Sequence, residues 1–354
     1  MKKSVKVLGF VAVLAMVASG FAAAMASADI TSESDVKSSS VTIYVPDTFT
    51  KIQWAVDNAT AGDTVIVNSG IYYENVNVTK QLILRGMDTG TGNPVINANG
   101  NGSAIILSAD GITLERFTAL NATEDGAAGI NVTSSNCTIT GNNISGNNYG
   151  IRIYESGDCT VTGNNARDND YGIYLYYSGN NTVSGNTFVN DGLFVYYSYQ
   201  NTVEANTVND KHLVYLEDTS DTEVTDAGQV ILVNCTNIRV ESQNLSNTCI
   251  GVMLWHTEDS LISNNIVCNN SRYGINLYDY SNNNTITDNT ASSNNYHGIL
   301  LTSFSNNNLV SGNNASSNHF QGIIVTYSCN NNTISDNYFI FLHFAMYLVR
   351  NIEN

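Results

Sequence analysis

The chain has 354 residues and a formal charge of −17, with 31 Asp and Glu against 14 Lys and Arg, and the cations are scattered singly rather than in a basic stripe. That balance argues against nucleic acid as a partner, because neutralising phosphates takes clustered cations. Six cysteines in so long a chain are too few to build a disulfide-based fold, so any bridge is a staple on a core that already exists.

Lys2, Lys3 and Lys6 precede an apolar run from Val7 to Met25, and Ala26-Ser27-Ala28 stands as a cleavage site before Asp29. Residues 1–28 therefore read as a signal peptide cleaved near Ala28, and 29–40 as a flexible linker. This predicts a secreted or cell-surface protein with no transmembrane span in the mature chain. N-x-S/T sequons recur from Asn58 to Asn331, although in an Asn-rich chain many arise by chance.

From Gly129 onward one phrase returns about every 22 residues. GIYLYYSGNNTVSGN at 172–186 is echoed by GINLYDYSNNNTITDN at 274–289 and GIIVTYSCNNNTISDN at 322–337. Within each unit apolar residues alternate, as Ile173 with Leu175 and Ile275 with Leu277, which is the period of a strand with one buried face. A second inward point recurs at Val161, Val183, Ile286 and Ile334, and a third at Ile144, Phe188 and Val267. Three short strands per unit cannot pair within that unit, but they can pair in register with the next one, giving parallel sheets along an axis. No window shows a sustained i, i+3, i+4 pattern, and Asn and Thr are poor helix formers. The expectation is an all-β, single-stranded parallel β-helix from about Val41 to the C-terminus, of roughly a dozen coils and about 60 Å long.

Asn142, Asn164, Asn186, Asn206, Asn265, Asn289, Asn313 and Asn337 each follow the second inward residue by three positions. They read as a structural column, with Asn in a left-handed turn and its amide stacked between coils.

The opening stretch FTKIQWAVDNATAGDTVIVNSGIYYENVNVTKQLILRG at 49–86, followed by the GI-x-L…N-x-T-I-x-x-N coils, resembles the right-handed parallel β-helix proteins of the NosD-like type, abundant among exported archaeal surface proteins. The resemblance implies a right-handed winding and a short capping helix around Ile52–Ala59. Strands are implied at Thr64–Val67, Asn75–Val78 and Leu82–Leu84. Residues 41–100 then form the N-terminal cap and first coils, and 101–354 the repeat coils of the same β-helix. Such repeats specify a fold more than a function. The family name implies copper handling. However, His212, His256, His297, His319 and His343 sit in different phases of the repeat, and no Cys or His pair has ligand spacing, so no metal and no cofactor are expected.

Outward strand positions of the middle coils carry Tyr154, Tyr174, Tyr176, Tyr196, Tyr215, Trp255 and Tyr278, with Tyr177, Tyr197 and Tyr199 beside them. Glu155, Glu217, Asp218, Glu258 and Asp279 stand at the margin. Rings facing solvent would stack on sugar rings while phenols and carboxylates bind sugar hydroxyls. The bland alternative is that tyrosine suits strands and stacks on itself. The sequence is thus read as a non-catalytic β-helix that presents an elongated face for envelope structure or for a cell-envelope polysaccharide. The rival is a polysaccharide-active enzyme, a glycoside hydrolase or lyase, using carboxylates on that face. Its catalytic residues cannot be assigned, because the Asn-Thr-Asp, Gly-His-Gly and Arg-Ile-Lys signatures of polygalacturonases are absent.

Cys137 and Cys159 occupy equivalent places in NCTIT at 136–140 and DCTVT at 158–162, so stacked coils bring their α-carbons within reach of a disulfide. At the far end NYFIFLHFAMYLVRNIEN at 337–354 starts a further coil without a polar cap. It folds over the open end or meets another chain, giving end-to-end self-association.

Overall fold

The computed structural model describes residues 40–339 and the backbone of the strand Met346–Leu348. The expected signal peptide, all but the last residue of the expected linker and the rest of the C-terminal coil lie outside the described residues. Among those described, no helix is long and apolar enough to cross a membrane.

The fold is the expected parallel β-helix. Its first strand, Thr42–Val45, is followed by a helix at Ile52–Asn58 that buries Ile52, Ala55 and Val56 against the end of the stack. The first helical amides are satisfied from the next coil, where Glu74 accepts from the backbone N–H groups of Ile52 and Gln53, each at 3.1 Å. Strands follow at Thr64–Asn68, Val76–Val78 and Ile83–Met87, within a few residues of the expected places.

Each ordinary coil contributes one strand to each of three parallel sheets. One sheet runs from Thr42–Val45 through the Val161 and Val183 strands to Thr202–Glu204. Another contains the Gly-Ile strands up to Leu193–Tyr196. The third runs from Ile71–Tyr72 to Thr207–Val208. Ile139, Val161 and Val183 stack in register in the first of these, as do Ile130, Ile151 and Ile173 in the second. All six are 0–1 % exposed, so the alternation read from sequence does fill a core.

The asparagine column is a hydrogen-bonded ladder. Asn164 Oδ1 accepts from both the backbone N–H and the Nδ2 of Asn142, each at 3.0 Å, and Asn186 and Asn206 continue the pattern. Asn265, Asn289, Asn313 and Asn337 repeat it later. One detail differs from expectation: the left-handed residue of the turn is the one before the ladder, such as Gly141, Gly163, Asn264 and Asp288. The ladder Asn must keep an ordinary backbone to aim its amide along the axis. A parallel ladder, Asn147–Asn169–Asp191 and then Asn270–Asn294–Asn318, explains the glycine of each Gly-Ile pair. A Cβ on Gly298 would lie 2.6 Å from Asn318 Nδ2 and 2.6 Å from the Gly322 carbonyl oxygen, so the ladder and the next coil leave no space for a side chain.

The single uninterrupted stack is where the expectation fails. After Val208 the chain turns at Asn209 and Asp210, with φ of 49° and 65°, and returns as the strand Lys211–Glu217, antiparallel to Thr207–Val208. Two consecutive positive φ values make the tight turn whose twist suits a hairpin. From here the Gly-Ile strands of a second segment, residues 211–339, join the third sheet of the first segment and run opposite to its earlier strands. The first segment's Gly-Ile sheet stops at Leu193–Tyr196, and its first sheet stops at Thr202–Glu204.

The second segment's leading sheet therefore has a core on each side. Val230, Leu232, Val252, Leu254, Ile275 and Leu277 point into the second core. Ile231, Val233, Met253, Trp255 and Tyr278, one residue out of phase, belong to the first core and close its open end. Gln229 clamps the contact: its Nε2 donates to the carbonyls of Leu193 (2.8 Å) and Ile250 (3.0 Å), and its Oε1 accepts from the Leu193 N–H (3.0 Å). The Tyr278 hydroxyl donates to the Val195 carbonyl at 3.0 Å.

Candidate functional site

The expected aromatic face divides at this junction. Tyr154, Tyr176 and Tyr196 are half-buried and stack in one column, with ring centroids 4.9 and 5.2 Å apart and planes within 5°. Tyr278 continues the column at 5.9 Å, and Trp255 follows at 5.6 Å. Tyr278 and Trp255 do not face solvent: they are 3 % and 0 % exposed, because the first segment's last coil covers them. Tyr174 lies over Phe194 and against Tyr149 and Tyr171, and desolvation raises its phenol well above the usual range. Tyr215 is half-buried with its hydroxyl donating to Glu217 Oε2 at 2.7 Å, and burial followed by that carboxylate raises its phenol too.

Ring direction corrects the proposed mode of contact as well as the membership. Parallel rings at coil spacing occupy one another's faces, so the column shows solvent its edges and hydroxyls rather than flat ring faces. The outer end is covered too, by the Arg152 guanidinium 4.5 Å above the Tyr154 ring.

Where the column enters the junction, polar groups converge. Asp279 Oδ2 lies 2.8 Å from His256 Nε2 and accepts from Trp255 Nε1 at 3.1 Å. The carboxylate is an acceptor, so the imidazole carries its proton on Nε2 and its Nδ1 accepts from the Tyr199 hydroxyl, 3.3 Å away. Burial, and then the charges of Asp279, Glu217 and Asp218, push the Tyr199 phenol up to about 12. Tyr197, beside Trp255 and Tyr278, is pushed up to about 12 by burial and then by Asp279. The result is a partly buried cluster of neutral phenols, one imidazole and several carboxylates. It can exchange hydrogen bonds with hydroxyls.

A second aromatic row was not anticipated as a site. Tyr280 and Phe304 lie in register six residues after the Gly of their Gly-Ile strands, at φ of 60° and 62°, whereas Tyr177, Tyr197, His256 and Tyr327 lie five residues after it, at φ between 45° and 51°. Other coils place Glu155, Asp218 and Asn234 there. A bulky side chain held in that region costs about 1 to 3 kcal/mol. The signal in the sequence was an aromatic where the neighbouring turns use Asn, Asp or Glu.

Cys137 and Cys159 are brought together in register, since Thr138 pairs with Thr160. Both are 1 % exposed free thiols in this structure, with Cys137 Sγ donating to the Ala109 carbonyl at 3.6 Å and Cys159 Sγ to the Ser134 carbonyl at 3.5 Å. Copper does not fit the side chains present. Among the described residues no three His, Cys, Asp or Glu side chains gather as a metal site would need. His256 is engaged by Asp279 and Tyr199, while His297 accepts from the Gln321 N–H and is driven by burial down to about 4. His212 and His319 are exposed, His319 edge-on to Phe320 at 4.9 Å, and His343 lies outside the described residues.

The family model described as "Periplasmic copper-binding protein (NosD)" matches residues 56–226 and 211–354. A "Cell surface glycoprotein" of Methanothermus fervidus is 39% identical over 100 residues, which are 27% of this chain and 16% of that protein. The match thus spans about a sixth of that relative's length. Among solved structures, the mannuronan C-5 epimerase AlgE6 A-module of Azotobacter vinelandii is 15% identical, with 86% of this chain and 95% of that chain covered, at a TM-score of 0.38. The GH136 lacto-N-biosidase of Eubacterium ramulus is 11% identical, with 84% and 64% covered, at a TM-score of 0.42. At these values the likeness carries nothing about chemistry.

Proposed function

The chain belongs to the NosD family, and from that premise we propose that it is a cell-surface β-helix protein that binds a cell-envelope glycan along its tyrosine column and at the polar cluster where the column ends. The observation that carries this reading is the line of phenols Tyr154, Tyr176 and Tyr196 at 4.9 and 5.2 Å spacing, fixed on a parallel sheet with their edges outward. Such a line offers repeated hydrogen-bonding groups to a chain molecule that itself repeats hydroxyls. Contact is made by hydroxyls, with carboxylates at the junction as further acceptors. The surface location is supported by the signal-peptide pattern and by the name of the Methanothermus relative.

The test follows from the ring geometry. Tyr176→Phe with Tyr196→Phe keeps both rings stacked and deletes both hydroxyls, each hydrogen bond contributing about 0.5–1.5 kcal/mol. Retention on isolated envelope polysaccharide falls while the melting temperature stays within a degree or two of the parent. Unchanged retention rejects the reading.

A second reading, catalysis on the bound glycan, is favoured by the Tyr199–His256–Asp279 chain of hydrogen bonds. Incubation of polysaccharide with the parent and with His256→Ala separates it from binding alone. Cleavage or epimerisation by the parent that the variant loses supports catalysis, and unaltered polysaccharide in both leaves the site a binding site.

A further inference from the structure

We propose that Tyr280 and Phe304, stacked on the left-handed turns of the second segment, with Tyr327 one position earlier on the next turn, form a second glycan-contacting strip that extends the polar cluster at the junction, and that the glycan it holds is built of neutral or amino sugars rather than uronic acids. This rests on the binding reading above and names the chemistry of its ligand.

Three observations converge. The backbone disfavours these side chains where they stand: φ is 60° at Tyr280, 62° at Phe304 and 51° at Tyr327, in a region that suits Gly, Asn and Asp. Burial does not compensate, since the three are 50 %, 45 % and 73 % exposed. Tyr280 and Phe304 stack at 5.2 Å, which covers one face of each ring, and His256 presses edge-on to Tyr280 at 5.8 Å, linking the strip to the polar cluster.

The turns are also held rigidly before any ligand arrives. Asn282 Nδ2 donates to the Tyr280 carbonyl at 2.9 Å and Asn306 Nδ2 to the Phe304 carbonyl at 2.6 Å. The Asn306 N–H donates to Asn282 Oδ1 at 2.8 Å, tying one turn to the next. A strip fixed in this way loses little freedom on binding.

Charge selects the class of sugar. Asp279 and Glu258 border the strip, and among the described residues no Lys or Arg follows Arg272 in the chain. A polyuronate would meet carboxylates with no cation to offset them, whereas neutral sugars are indifferent and amino sugars are attracted.

The deciding variant replaces the three aromatics with a residue that the left-handed backbone tolerates, as Tyr280→Asn, Phe304→Asn and Tyr327→Asn in the full chain. Short and long β-linked N-acetylglucosamine oligomers, a neutral glucan and polygalacturonate serve as probes. The parent is expected to hold the long neutral or amino-sugar chains and not polygalacturonate. The triple variant melts at the same or a higher temperature, loses at least about tenfold in affinity for the long chains, and binds short oligomers like the parent. A parent that binds glycans while the variant is equally strong on long chains overturns the strip and spares the polar cluster; so does a melting temperature lowered by several degrees, which would make the aromatics structural. A shift of the variant from dimer to monomer in sedimentation would assign the strip to self-association instead. Preference of the parent for polygalacturonate overturns the assignment of sugar class, and a parent that binds no probe removes the binding reading itself.

Discussion

The two segments use the same phrase, the same ladders and the same period, yet they differ in what lies outside the Gly-Ile sheet. In the first segment that outer row reads Asn131, Arg152, Tyr174 and Phe194, growing more apolar as it nears the junction. In the second it begins with the half-buried Tyr215, continues through Ile231, Met253, Asn276 and Leu300, all at most 9 % exposed, and reaches the half-buried Ile324. The inward row builds a coil and is common to both. The outward row records what the coil touches, and here it marks a sheet shared by two cores.

The largest effect expected from this difference comes from placing a charge in the shared sheet. Met253→Asp leaves an unpaired carboxylate between the cores and should lose more than about 4 kcal/mol of stability. Ile324→Asp, in the same outward column beyond the reach of the first segment, should lose less than about 1 kcal/mol. Urea unfolding of the two variants measures the contrast, and equal losses would mean that the outer row is not covered in the way described.

Asp191 sharpens the comparison next, because it ends the first segment's second ladder where every earlier member is Asn. Its Oδ2 accepts from Asn169, while Oδ1 and the nearby Thr248 Oγ1 are buried without partners. Burial outweighs the Asn169 hydrogen bonds and pushes the carboxyl up to about 7, with Asp168 raising it further and Arg167 opposing. A folded-state value above the unfolded one favours the protonated form on folding, so the penalty is absent below about pH 4 and complete once pH has risen through 7. Asp191→Asn should therefore stabilise the protein at pH 8, by up to about 4 kcal/mol, and leave it unchanged at pH 4. Thermal melts across that range check it; a benefit independent of pH would point to packing rather than charge.

A smaller effect concerns a staple that the second segment lacks. On exposure to an oxidising medium, Cys137 and Cys159 are expected to bridge neighbouring coils, adding about 3 kcal/mol through the short loop closed. Peptide mapping without reductant decides the matter, since full alkylation of both cysteines would show that the bridge does not form.

Most of the fold was legible because a solenoid writes its core in a period, and Val183 or Ile286 needs no neighbour outside the repeat to be placed. The break was written too, in different marks. Asn209-Asp210 is a two-residue hairpin turn, the step from Leu213 to Gln229 is short, and AGQVILV at 227–233 and IGVMLW at 250–255 are apolar on both faces where AGINV at 128–132 and YGIRIY at 149–154 alternate. The site was half legible. Tyr154, Tyr176 and Tyr196 follow from register alone, whereas Trp255 and Tyr278 looked outward by the same rule and were buried by a contact between distant coils. His256 and Asp279 are neighbours by register within the second segment, whereas Tyr199 joins them only through that contact, and ring orientation is not encoded in spacing at all.

The docking of one segment on the other is the central claim, and the chain's two tryptophans give direct access to it. Trp54 is 50 % exposed on the capping helix, while Trp255 is fully buried in the shared sheet. In a Trp54→Phe protein the remaining fluorescence reports on the junction alone. The predicted result is a blue-shifted emission that acrylamide barely quenches until the protein unfolds. A red-shifted, readily quenched emission under native conditions would show Trp255 open to solvent and would contradict the junction.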